Sequence, residues 1–308
     1  MHIEILLATF NSEAFIEEQI GSIFGQTYQD WHLTIQDGGS CDSTAHILTK
    51  LEKKYKNKLT FIPNDGVRLS AKENFSSLLS KVNSPLYMFC DQDDVWFKNK
   101  IEKTLDYYLL KRPSGSKCPS LIFTDSIVTN ENLTPICNSF MKLENLNPEK
   151  LELQNLLLQN VAPGNTMLFN RELRNLALPV PPKAIMHDHW LMLACSIFGN
   201  IHFMNAPTLY YRQHQKNVVG ASKLSAISAL KKICKDPQKF TQSLNGSFEQ
   251  AKALLEFYGS SLPAEKEEIL KSFIAIRKQN FFKRRFSLLQ EGFLKHGLLR
   301  NLGLFLIV

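Results

Sequence analysis

The sequence predicts an α/β protein built on a mostly parallel, doubly wound sheet. Three observations predict it. Short apolar strand candidates alternate with amphipathic helical segments from the N-terminus onward. The connections between them are short, and the residues best suited to bind a ligand fall just after a strand. An open sheet of this kind binds ligands outside the carboxyl ends of its strands.

The first strand, His2 to Ala8, ends in Thr9-Phe10-Asn11-Ser12. Ser12 is placed to cap a helix whose Phe15, Ile16, Ile20, Ile23 and Phe24 recur at helical spacing. Trp31 to Ile35 is the second strand and runs into Asp37-Gly38-Gly39-Ser40. Asp37 can accept from a nucleobase N–H or a ribose hydroxyl, whereas Asp42 suits the cap of the next helix. Leu59 to Ile62 is the third strand. Arg68 and Lys72, near the start of a third helix, suit a phosphate or a solvated face.

The fourth strand, Leu86 to Cys90, is an uncharged, mostly bulky run that reads as fully buried. It delivers Asp91, Asp93 and Asp94, three carboxylates in four positions. Like charges this close need a cation or strong donors to offset their repulsion. Hard divalent ions take oxygen ligands, and Mg²⁺ often uses one or two carboxylates plus substrate phosphates. The cluster therefore reads as a metal site for a phosphorylated ligand, or as an Asp-rich turn capping a helix that begins near Phe97.

Beyond Trp96 come a helix to about Leu110, a turn at Pro113-Ser114-Gly115, a strand at Ser120 to Thr124 and another at Thr166 to Phe169. A helix follows from His187 to Phe198. Two strands, Ile201 to Met204 and Thr208 to Tyr211, flank Pro207. Asp188, between two histidines at a helix start, suits a general base, a metal ligand or a cap. Arg212 and His214, two residues apart after the second of these strands, should point the same way. An Arg suits diphosphate, and a neutral imidazole can join carboxylates on Mn²⁺. A domain boundary falls near Gly220 to Ser225, giving a domain over 1–221, with halves at about 1–96 and 97–221, and a helical region over 222–308.

The 308 residues are 44% hydrophobic and 21% charged, ordinary for a globular protein with a substantial core. Six cysteines without a C-x-x-C pair suit a reducing cytosol. No signal peptide or membrane span is expected. The net charge of +7 belongs to the tail: from Lys271 onward there are eight Lys or Arg against Glu291 alone. Those cations alternate with Phe273, Phe281, Phe282, Phe286 and a final apolar run. This pattern fits a basic amphipathic anchor on an anionic membrane surface, a homodimer interface, or helices packed on the catalytic domain. No nucleic-acid module accompanies it.

In order along the chain stand L-L-A-T-F-N, I-Q-D-G-G-S-C-D-S-T (35–44), R-L-S-A-K-E-N-F (68–75), C-D-Q-D-D-V-W (90–96), N-V-A-P-G-N-T-M (160–167), M-H-D-H-W-L (186–191) and Y-R-Q-H-Q-K-N-V-V-G-A (211–221). As a set they resemble the family 2 glycosyltransferases of GT-A fold, and within them the bacterial rhamnosyltransferase group. That resemblance implies a cytoplasmic, peripheral enzyme. It would move a sugar, L-rhamnose from dTDP-rhamnose or else a hexose or N-acetylhexosamine from a UDP-sugar, to a lipid-linked saccharide with inversion.

The resemblance also implies roles. Thr9 and Asp37 would hold the nucleoside, with Asn11, Arg68, Lys72, Gln92 and Arg212 also on the donor side. Asp91 and Asp93 would form the D-x-D motif, Asp93 binding Mn²⁺ or Mg²⁺ directly and Asp91 reaching ribose and metal. His214 would be a further metal or diphosphate contact, Asp188 the base, and Gly164, His189 and Trp190 would shape the acceptor side. The chain departs from the pattern at Gly38, usually Asp, at Ser70, usually Gly, at Glu73, usually basic, and at His189, usually aromatic. Two other classes compete. D-Q-D-D-V matches the nucleophile loop of haloacid-dehalogenase-type phosphatases, though that loop normally follows a first strand. A noncatalytic sugar-nucleotide-binding protein is the other.

Overall fold

The computed structural model describes residues 1–64, 66–112, 117–214 and 237–308; the Pro113 turn, the Q-K-N-V-V-G-A stretch (215–221) after Y-R-Q-H and the boundary near Gly220 lie outside them. The elements are β1 (Ile3–Thr9), α1 (Ile16–Phe24), β2 (Trp31–Asp37), α2 (Thr44–Lys54), β3 (Leu59–Ile62), α3 (Ala71–Lys81), β4 (Leu86–Cys90), β5 (Val95–Trp96), α4 (Lys100–Lys111), β6 (Ser120–Thr129), β7 (Pro135–Cys137), α5 (Phe140–Leu143), α6 (Leu153–Leu156), β8 (Met167–Asn170), α7 (Arg171–Ala177), α8 (His187–Phe198), β9 (Asn200–Arg212), α9 (Pro237–Tyr258), α10 (Ala264–Ile276), α11 (Phe281–Gln290) and α12 (Leu298–Ile307).

Among the described residues the strands form one nine-stranded sheet, ordered β3-β2-β1-β4-β8-β6-β9-β5, with β7 on β6. The half built from the first four strands is parallel, as the alternation predicts. β8 then enters antiparallel between β4 and β6, and β5 pairs antiparallel with β9, so the sheet as a whole is mixed. The apolar runs of β1 and β4 are buried on both faces because α1, α3 and their neighbours cover the sheet.

Four local expectations change. The two strands expected around Pro207 are one thirteen-residue strand, β9, parallel to β6. The pairing register shifts on either side of Asp125, opposite Pro207, where a residue without an N–H fits an interrupted ladder. Ser12 does not cap α1 by its side chain; its hydroxyl bonds the Thr9 hydroxyl at 2.6 Å. Asp42 acts one residue before the N-cap of α2, its Oδ1 accepting from Thr44 N (3.0 Å) and Thr44 Oγ1 (2.6 Å). The acidic turn is not a helix cap either, since α4 starts only at Lys100, after Asn99.

Chain contacts divide the molecule into two compact units. One holds Met1–Phe140, Ala162–Pro179 and the described residues of 199–221, and it contains the whole sheet. The other holds Met141–Val161, Val180–Phe198 and the described residues of 222–308. Segments 141–161 and 180–198, expected with the sheet, thus cluster with the C-terminal helices. In that second unit Phe273 lies between Phe248 and Phe293, with ring centroids 4.8 and 4.9 Å away.

Candidate active site

The loops that leave β1, β2 and β4 at their carboxyl ends are tied to one another. Gln92 accepts from Phe10 N (2.6 Å) and Thr9 Oγ1 (2.9 Å), and donates to Phe10 O (3.2 Å). Asn11, at φ 47°, accepts from Cys41 N at 2.9 Å while its own N–H donates to Ser40 Oγ at 2.8 Å. Gly38 N donates to Thr9 O at 2.7 Å, and Leu69 N to Gly38 O at 3.1 Å. Asp37 is buried and accepts from the N–H groups of Gly39 and Ser40 and from the Ser40 hydroxyl. Thr9, Asn11, Asp37 and Gln92, expected to touch a donor, thereby shape the cradle itself. Arg68, exposed, stacks on Phe10, and Lys72 lies half-buried in the first turn of α3.

Packing accounts for three departures from the family pattern. A β-carbon on Gly38 would stand 3.1 Å from Thr9 O and 3.3 Å from Leu69 O and Asn74 Nδ2, so the turn is already filled. Ser70 and Glu73 form a capping box for α3: Ser70 Oγ accepts from Glu73 N (3.3 Å) and Glu73 Oε2 from Ser70 N (2.8 Å). The Ser70 hydrogen bonds also lower the Glu73 carboxyl below its ordinary value.

Beyond β4 the three carboxylates diverge in role. Asp93 Oδ2 lies 2.7 Å from His214 Nε2, so residues far apart in sequence meet where β4 and β9 end. The His214 ring stacks on Phe15 at 4.8 Å, and the Arg212 guanidinium lies 4.9 Å from the Phe15 ring. Asp94 is fully buried, accepting from Asn165 Nδ2 and, at 3.2 Å, from Arg212 N. Burial, reinforced by Asp93 and Asp91, pushes its carboxyl well above the ordinary range. Asp91 is half-buried. Among the described residues no three His, Cys, Asp or Glu side chains converge as a metal site, so Asp91 does not complete one with Asp93 and His214. The Asp93–His214 pair still suits a divalent ion, offering one hard oxygen and one imidazole nitrogen and leaving other positions to phosphate and water.

Arg212, expected on the donor side, faces inward. It is buried, with Nε on Asp93 O at 2.8 Å and its terminal nitrogens on Glu131 O and the Glu18 carboxylate. It braces the acidic loop from within. Lys100 went unrecognised in the sequence. Fully buried, its Nζ donates to Asn165 O (3.0 Å) and Thr208 Oγ1 (3.1 Å) and lies 4.9 Å from the Trp96 ring. Burial pulls its ammonium down to about 7, against the fields of Cys90 and Asp94. Gly164 opens the 3₁₀ turn Gly164–Thr166 that supplies Asn165 to this bridge.

Asp188 belongs to the second unit, in the first turn of α8, and its Oδ1 accepts from His189 N at 2.6 Å. His189 and Trp190, expected on the acceptor side, are core residues. His189 Nε2 lies 2.6 Å from Leu156 O and Nδ1 3.3 Å from Gln250 Nε2. Trp190 is fully buried against Phe257 and Tyr258. Burial lowers His187 to about 3 and His189 to about 4, so both rings are neutral near pH 7.

Residues 4–174 match the family described as Glycosyl transferase family 2. The chain is 28% identical over 238 residues to the dTDP-rhamnosyl transferase RfbG of Shigella flexneri, covering 70% of this chain and 74% of that protein. It is 25% identical over 220 residues to UDP-Glc:alpha-D-GlcNAc-diphosphoundecaprenol beta-1,3-glucosyltransferase WfgD of Escherichia coli, covering 70% and 79%. Mannosyltransferase PcManGT of Pyrobaculum calidifontis, solved with GDP-Man and Mn²⁺, superposes with a TM-score of 0.53 at 15% identity, covering 94% of this chain and 72% of that one.

Proposed function

Because the chain belongs to glycosyl transferase family 2 and is a transferase of GT-A fold, we propose that it moves L-rhamnose from dTDP-rhamnose, with inversion, to a hydroxyl of a growing lipid-linked bacterial surface polysaccharide. The observation that carries the reading is the Asp93–His214 pair, 2.7 Å apart beside the tied loops of β1, β2 and β4. The name of the Shigella relative supports the donor, and that of the E. coli relative supports an acceptor on a lipid diphosphate. The Mn²⁺ in the Pyrobaculum calidifontis mannosyltransferase supports a divalent ion.

Asp93 and His214 would hold Mn²⁺ or Mg²⁺, with Asp91 near the ribose and metal. The ion supplies charge stabilisation for the departing nucleoside diphosphate. Arg68 and Lys72 add cations for the diphosphate, and Thr9, Asn11, Asp37 and Gln92 hold the nucleoside cradle in shape. Asp188 would take the proton of the acceptor hydroxyl as it attacks the anomeric carbon. One displacement with one base inverts that carbon, through an oxocarbenium-like transition state. A lipid-linked acceptor suits a peripheral protein on the cytoplasmic face of a membrane. No helix among the described residues is long and apolar enough to cross one.

The test is a transfer screen of dTDP-rhamnose, UDP-glucose, UDP-N-acetylglucosamine and GDP-mannose with Mn²⁺ and Mg²⁺, the product's anomeric configuration read by NMR. The expected result is turnover of dTDP-rhamnose to an α-rhamnoside. Turnover confined to a UDP-sugar would replace the donor, and a β-rhamnoside would remove the single-displacement mechanism.

A further inference from the structure

The last two helices of the second unit turn apolar faces outward. In α11, Phe282, Phe286 and Leu289 recur at i, i+4 and i+7, so they share one stripe, and they are 82%, 66% and 58% exposed. Leu288, on another face of the helix, is its buried anchor. In α12, Leu298, Leu302 and Leu306 recur at four-residue steps and are 77%, 47% and 65% exposed, while Gly303 and Leu304 turn inward. Apart from Phe281, which is also in α11, the other large exposed apolar side chains among the described residues, such as Val67, Leu110 and Ile136, are scattered along the chain. Ordered apolar stripes of this size mark an interaction surface.

Charge decides the partner. α11 carries Lys283, Arg284 and Arg285, and neither α11 nor α12 contains an acid. Arg284 folds back onto the carbonyls of Gln279 and Arg277. Lys283 and Arg285 flank the Phe282–Phe286–Leu289 stripe on either side by helical geometry. The Arg285 guanidinium lies 3.3 Å from the Phe281 ring centre, and its Nη1 donates to Phe281 O at 2.7 Å. A second copy meeting this face would bring like charges together, which is unfavourable. An anionic bilayer instead offers hydrocarbon to the stripe and phosphates to its cationic margins. Ten-residue helices are about 15 Å long, so they lie in the interface and do not span it.

We propose that α11 and α12 dock this protein on an anionic lipid bilayer. Phe282, Phe286, Leu289 and the Leu298–Leu302–Leu306 stripe enter the headgroup boundary, with Lys283 and Arg285 at lipid phosphates. The surface is independent of which sugar is transferred, so it stands or falls apart from the donor assignment.

The test uses the full chain with vesicles of phosphatidylcholine alone or mixed with phosphatidylglycerol. Cosedimentation is expected only with the anionic vesicles, and 0.5 M salt should release it. Lys283→Gln with Arg285→Gln should weaken partitioning by roughly fivefold per cation. Phe282→Ser with Phe286→Ser and Leu289→Ser should abolish it, while thermal unfolding and transfer to a soluble acceptor stay unchanged. Equal binding to neutral vesicles, or no binding, overturns the proposal. So does a wild-type dimer in analytical ultracentrifugation that the serine variant dissolves.

Discussion

Replacing Lys100 by Met tests the bridge behind the acidic loop. The two side chains are similar in length, so the change removes an ammonium without opening a large cavity. An unfolded lysine titrates near 10.4, whereas burial lowers Lys100 to about 7. At pH 7 that difference costs the folded state roughly 4 kcal/mol. The unfolded chain binds more protons than the fold between the two values, so the wild type gains stability as pH rises from 7 toward 10. Met carries no such dependence. The stability gap between wild type and Lys100→Met should therefore move by roughly 2 kcal/mol in favour of wild type between pH 7 and pH 9. Guanidinium unfolding of both proteins at the two pH values measures it. Replacing a buried charge by an apolar side chain is often near neutral in stability, so the variant should fold. Activity should suffer more. Asn165 loses its donor, Asp94 beneath the loop loses its brace, and transfer should fall on the order of a hundredfold. A stability gap that does not change with pH would refute a buried, discharged lysine.

Asp93→Asn should abolish transfer with little change in thermal unfolding, and excess EDTA should silence the wild type until Mn²⁺ or Mg²⁺ is restored. Unchanged turnover in chelator would remove the metal. Asp188→Asn should lose nearly all transfer while donor affinity, read by calorimetry, stays within a few-fold of wild type; lost donor binding would make Asp188 a binding residue. His189 is neutral in the fold and protonates near pH 6.5 when unfolded, so it destabilises progressively as pH falls from 6.5 toward 4. His189→Gln should accordingly reduce the acid loss between pH 7 and pH 5 by roughly 2 kcal/mol, measured by denaturant unfolding. Gly38→Asp, which restores the usual family residue, should destabilise by about 1–3 kcal/mol through overpacking; a thermal shift assay that finds no change would contradict the crowding at Thr9 O.

The parallel half of the sheet was legible because buried strands read as unbroken apolar runs and helices as periodic ones. The meeting of Asp93 and His214 has a related reason: each lies within three residues of a strand's end, and the fold brings those ends together. Lys100 was not legible. Lysine is so rarely buried that Lys98-Asn99-Lys100 reads as a solvated face, and only the packing of Asn165, Thr208 and Trp96 says otherwise. His189 and Trp190 misled in the opposite direction. Polar or aromatic residues beside Asp188 suggest a ligand surface, but their neighbours on α6 and α9 close over them. Arg212 lies between these cases: its place beside the acidic loop was readable, while its burial depends on Glu18 and Glu131, remote in sequence.

The shift of register at Pro207 makes β9 a strand with a set phase. Opposite Asp125 it carries two residues more than β6, and one further before Tyr210 meets Ile127. Downstream of that slip, Thr208 and Arg212 fall on one side, Thr208 bonding Lys100 and Arg212 bracing Asp93, while Leu209 pairs with Trp96. Strand side chains alternate, so deleting a single residue near Pro207 would exchange the two sides and carry Arg212 toward the place of Tyr211. Insertions and deletions between Met204 and Thr208 should therefore be tolerated by twos and rejected singly. A chimera that exchanges this stretch with a relative must carry β6 and β9 across together.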